Sequence, residues 1–198
     1  MIIGSMPDNL KLVLEHLNAV RELNRYLRKK GVKKDLGQYL IESLKPSLEE
    51  NIPNLKDWNF SRTLGANSVE ADWYPDTWKL DGELYVALCV ILPDPSLADQ
   101  IPSVNLYVPT EWPSHSAFTA RSTDCVTMLL AQGFGLDAEE NWEYPEQVIG
   151  KYVGWLEKDG SFSETKLVER LALEATKIVR LEAEISRVIR DHPTEPVV

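Results

Sequence analysis

Cysteine is scarce in this chain: Cys89 and Cys125 are the only two in 198 residues. Two cannot build the bridged framework of a small secreted domain. Cys89 lies inside an apolar run, where a reduced and buried thiol is the expectation. Histidine is also sparse. His16, His115 and His192 stand far apart, and no paired Cys/His at short spacing announces a zinc site. No apolar stretch approaches the roughly 18 to 20 residues needed to cross a bilayer. The opening "MIIGSMPDN" is apolar for too few residues to be a secretory signal and has no basic region. A cytoplasmic location without membrane attachment is therefore expected. No glycine-rich loop leads into a helix, which excludes nucleotide cradling of the P-loop or Rossmann kind. The G-x-S-x-G elbow and a helix-borne HExxH are missing as well.

Positive charge is missing from the middle. Residues 51–150 hold four Lys/Arg against fifteen Asp/Glu, a net of −11, while the whole chain carries −10. Between Lys79 and Lys151 the only cation is Arg121. Such a segment repels phosphate backbones, so direct nucleic-acid binding is not expected, whereas a basic protein surface would be attracted.

What is present reads as an α+β protein with 43% hydrophobic and 26% charged residues. Residues 1–50 form an N-terminal helical segment, and residues 51–198 form an α+β domain ending in a long helix, the two making one compact unit. In the first segment Leu10, Val13, Leu17, Val20 and Leu27 share a three-four spacing, with Asp8 to cap and Gly31 to stop the helix. A second helix is expected from Asp35 as N-cap towards Leu44, with Leu36, Leu40, Ile41 and Leu44 inward and Pro46 as a bound. Residues 83–92 alternate with both faces apolar, as in a covered interior strand. Asp81-Gly82 before them signals a tight hairpin pairing "TWKL" with "ELYV". Further strands are expected at 103–109 and 146–157, and a short helix from Ser122. Together these give an antiparallel or mixed sheet of about four or five strands with helices packed on it.

The last helix is the plainest. Ser161 and Glu164 stand at capping-box spacing. Leu167, Leu171, Ala175, Ile178, Leu181, Ile185 and Val188 then make one stripe over 163–191, a helix of roughly 40 Å.

Two patterns invite a chemical reading. Ser114, His115 and Ser116 are adjacent, but neighbours along a strand point to opposite faces and cannot pair as nucleophile and base. Glu70, Asp72, Asp76, Asp81 and Glu83 crowd the stretch before the apolar strand. Pro75-Asp76 followed by Glu83-Leu84-Tyr85 parallels a metal-dependent nuclease pattern, yet tyrosine stands where the lysine is required. Neither supplies a catalytic set, and no metal or cofactor is called for.

Six tryptophans exceed ordinary usage. Trp and Tyr suit interfaces, where one edge is apolar and the other wet. Asp72, Trp73, Asp76, Trp78, Glu111, Trp112 and Glu143 are therefore the expected binding surface of a non-enzymatic acidic module. It would engage a basic protein, as an antitoxin, immunity protein or inhibitor does. One alternative is a ligand-binding domain or hydrolase with a Trp/Tyr-lined pocket between sheet and long helix. Another is a structural subunit that self-associates, as a homo-oligomer, through its long helices. This reading predicts that Leu88→Asp unfolds the domain by burying an unpaired charge, whereas Trp73→Ala combined with Asp76→Ala leaves it folded, both read by circular dichroism.

Overall fold

The structure is a computed structural model that describes residues 25, 31–65, 67–80, 83–84, 86–95, 101–107, 123–138 and 147–191. The stripe expected between Leu10 and Leu27 and the Ser114–Ser116 cluster lie outside these residues. Helix α1 (Gly31–Tyr39) runs through a π-helical turn (Leu40–Leu44) into α2 (Lys45–Asn51). Asp35 therefore sits inside a helix and not at its cap, and the helix passes Pro46. The proline lacks an N–H and its ring crowds the carbonyl four residues back. The wider turn accommodates this, with the Lys45 N–H donating to the Leu40 carbonyl. Widening also shifts the inward face. Leu40, Leu44 and Leu48 are buried, Leu36 is half-buried, and Ile41 turns outward at 38% exposure.

Strands β1 (Asn59–Leu64), β2 (Ser68–Tyr74), β5 (Ala87–Pro93), β6 (Ser103–Tyr107), β7 (Gly135–Ala138) and β8 (Gln147–Tyr152) form one six-stranded sheet in the order β1-β2-β5-β6-β8-β7. All of its neighbours are antiparallel. The architecture is thus the expected α+β, with one more strand than the upper expectation. The run 83–92 is not one strand. β3 (Lys79–Leu80) and β4 (Glu83–Leu84) pair only with each other, in a register that leaves the two positions of Asp81-Gly82 between them. The chain joins the main sheet at Ala87.

Among the described residues one face of that sheet is apolar. The register aligns Phe60, Trp73, Leu88, Leu106 and Ile149 in one row and Ala71, Val90 and Val104 in the next. The buried hydrophobic cluster draws on these residues. Cys89 and Ile91, on the opposite face, meet Asp72, Glu70, Asn105 and Ser103 instead. The central strand is buried on both sides, but its second side is polar-lined.

Helices α3 (Thr123–Ala131), α4 (Glu164–Val179) and α5 (Glu182–Asp191) complete the core. Every member of the stripe from Leu167 to Val188 is buried, at about 1.5–3 kcal/mol for each fully buried large aliphatic side chain. The long helix is interrupted at Arg180 and Leu181, where the Leu181 N–H reaches the Ile178 carbonyl at 2.9 Å. Its cap is Ser163, whose hydroxyl accepts from the Lys166 N–H. Ser161 is diverted to Asp159, its N–H and hydroxyl donating at 2.9 and 2.7 Å. Glu174, buried on α4, receives Lys177 at 2.6 Å and Lys151 of β8 at 3.1 Å. Both ammonium groups also face the Phe134 ring, which ties α4 to the sheet edge and to the chain after α3.

Trp73 and Trp78 are fully buried, which corrects their expected place on an exposed rim. Successive strand residues point to opposite faces, so placing Asp72 on the polar face sends the Trp73 ring inward. Trp73→Ala alone is now expected to cost about 3–5 kcal/mol, while Asp76→Ala stays within about 0.5 kcal/mol of wild type. Urea denaturation separates the two, and equal midpoints would contradict this packing.

Candidate functional site

The polar face of the sheet is built by the alternation in "SVEADWY". Val69, Ala71 and Trp73 face the core, leaving Glu70, Asp72 and Tyr74 on the other side. Across the strands the register places Ser61 opposite Asp72, Asp72 opposite Cys89, Cys89 opposite Asn105, and Asn105 opposite Gly150. Cys89 and Asn105 are nearly fully buried in this row, and Asp72 is half-buried. The Cys89 thiol donates to the Asp72 carboxylate, the Ser61 hydroxyl approaches it at 3.4 Å, and the Asn105 amide donates to Ser103 at 3.0 Å.

Electrostatics decide what this row can do. Burial pushes the Asp72 carboxyl up, and the neighbouring Glu70 adds to that, while the bonds from Cys89 and Ser61 oppose it. Burial, and then the Asp72 charge, drive the Cys89 thiol well above its ordinary range. A thiol so placed stays protonated and serves as a donor. It is the opposite of the electropositive, accessible setting of a reactive thiolate. Cys125 is buried too, its thiol pushed up to about 11 chiefly by burial.

The residues expected at a binding surface separate into three groups. Asp72 and Asp76 lie on or beside the polar face. Asp76, whose side chain is 87% exposed, accepts from the Asn59 amide at 2.9 Å and faces Lys79 at 3.7 Å. Trp73 and Trp78 belong to the core. The Trp73 indole N–H donates to Glu49 at 3.2 Å, and that of Trp78 to the Glu182 carbonyl at 3.5 Å. Trp58 is buried against Trp78, edge to face at 5.0 Å. Glu111, Trp112 and Glu143 lie outside the described residues. Among the described residues no three His, Cys, Asp or Glu side chains are arranged to hold a metal ion, and no helix is long and apolar enough to cross a membrane.

A second feature is assembled only by the fold. Lys33, Lys34 and Gly37 of α1 and Arg62 and Leu64 of β1 line a cleft of about 300 Å³. Lys33 donates to the Gly65 carbonyl, and Arg62 donates to the Gly37 carbonyl at 3.2 Å. The only signal in the sequence is the rarity of cations in the middle segment, where Arg62 is one of four. Pairing it with Lys33 and Lys34 requires the fold.

No family model, curated protein or solved structure matches this chain.

The raised Asp72 pKa has a definite sign in stability. The folded form holds its proton to higher pH than the unfolded chain, whose carboxyl titrates near 3.8. Its contribution is therefore intact below that value and is lost as pH rises through the folded pKa. In Asp72→Asn this fall disappears while Cys89 keeps an oxygen acceptor. Urea midpoints measured from pH 3 to 8 should show the variant gaining on wild type with rising pH, and parallel curves would refute the assignment.

Proposed function

We propose that this protein is a non-enzymatic interaction module whose acidic surface binds a basic protein, in the manner of an antitoxin, immunity protein or inhibitor. The observation that carries this reading is the placement of the middle segment's carboxylates. Glu70 and Asp72 share the polar face of β2, and the exposed Asp76 follows directly beyond the strand's end. Burial of Trp73 and Trp78 removes the aromatic anchors first expected, leaving a surface that works by charge. Such a surface acts mainly on encounter rate and partner choice, and its attraction weakens with salt.

The two alternatives draw less support. The apolar stripe of the long helix, which self-association would need, is buried against the chain's own core. The space between this helix and the sheet is occupied by the core side chains Leu88, Val90, Leu106, Leu171 and Ala175, where a ligand pocket would have to lie. Asp76 forms its ion pair in the open, where such pairs are weak and easily exchanged for a partner's cation.

The test is affinity capture by the tagged chain from nuclease-treated host lysate, washed at low and at high salt. A basic protein held at low salt and released at high salt is expected. Glu70→Gln combined with Asp76→Lys should weaken its binding by about tenfold, or about 1.4 kcal/mol. Retention that ignores both salt and the double variant would remove the basis of the reading.

A further inference from the structure

The cleft between α1 and β1 gathers three cations, Lys33, Lys34 and Arg62, from two elements of a chain with net charge −10. Its floor is apolar. Leu64 lies there half exposed, at 50%, and lysine and arginine stems present their methylenes alongside. Gly37 keeps the floor open. It occupies the interior of a continuous helical run from Gly31 to Asn51, where glycine is a poor choice for helix stability. A Cβ at this position would meet Leu64 Cδ2 at 3.5 Å and Arg62 Nη1 at 3.6 Å. Those are ordinary contact distances, and no positive φ is recorded for Gly37. Neither packing nor backbone conformation therefore demands glycine; what its bare backbone preserves is space. The π-helical turn opens three residues further on, at Leu40, and such turns cluster at functional positions.

We propose that this cleft binds a small organic anion. The oxyanion would lie between the Lys34 ammonium and the Arg62 guanidinium, which has further N–H donors beyond the one given to Gly37. The apolar body would rest on Leu64 and the lysine stems. The site is independent of the proposed interaction surface: Arg62 and Leu64 share the sheet face of Ala71 and Val69, whereas Glu70 and Asp72 point the other way.

The experiment is an amide NMR titration of the full chain with phenyl phosphate, with phenol as the uncharged control. Phenyl phosphate is expected to shift residues 33–38 and 62–65 saturably, and phenol is not. Lys34→Gln removes a charge and keeps the floor, while Gly37→Leu fills the floor and keeps every charge. Each should weaken binding by about tenfold. The proposal fails if no saturation appears by about 10 mM ligand, if phenol shifts the same residues equally, or if Gly37→Leu binds as wild type does. Should Gly37→Leu alter the spectrum globally, Lys34→Gln decides alone, and unchanged affinity in it overturns the site.

Discussion

A buried indole N–H left unpaired costs free energy, and Trp73 shows how far the pairing of one such group reaches. The ring sits in the middle of the sheet's apolar face, opposite Leu88 and 5.1 Å from Phe60 in an edge-on arrangement. Its N–H finds Glu49, a carboxylate on α2 that is also held by Lys45 at 2.7 Å. The acceptor fixes where α2 may lie, and the helix in turn brings Leu44 and Leu48 onto the strands. Unpaired, such a group costs about 1–3 kcal/mol, a large fraction of a typical domain's stability. Lys45 also stands 5.1 Å from the Phe60 ring centre, so one ammonium steadies both the acceptor and the ring beside the indole.

One-sided burial explains the distribution of polarity. Strands β2, β5 and β6 turn hydrophobic rows toward one helical layer, joined by Phe60 of β1 and Ile149 of β8, and the opposite face keeps serine, carboxylate, thiol and amide groups in register. Cys89 shows the effect most sharply: in composition it belongs to an apolar run, yet its cross-strand partners make it a hydrogen-bond donor within a polar row. Glu70 and Asp72 lie on this side, while the cationic cleft opens at the margin of the other.

The last helical stretch was legible because its period persists over many residues and packing needs only one continuous stripe, although its break at Arg180 and Leu181 leaves that stripe unchanged and so gives no signal. The alternation of Val69, Ala71 and Trp73 was equally present, but the acid- and tryptophan-rich composition of that stretch read as a rim. Period, not composition, decides which side of a strand is buried. The cap was misplaced by two residues because Ser161 and Ser163 offer similar hydroxyls, and Asp159 claims the first. Of the expected surface, the outward placement of Asp72 and Asp76 could be read locally, whereas the burial of Trp73 and Trp78 could not. The cleft could not, since tertiary packing joins positions 33–37 to 62–64.

The helices α4 and α5 follow every described strand, yet they roof the sheet. Trp78 gives its N–H to Glu182, and Thr77 meets the Ser186 hydroxyl at 2.8 Å, contacts that span more than a hundred positions. During synthesis the strands therefore leave the ribosome with only the cover that α1 and α2 give them, and the rest of their apolar rows waits for residues 164–191. At ordinary elongation rates of about 5–20 residues per second, the wait from the end of β2 to the end of α5 lasts about 6 to 23 s. For that interval the nascent chain is a substrate for chaperones and a hazard to its neighbours.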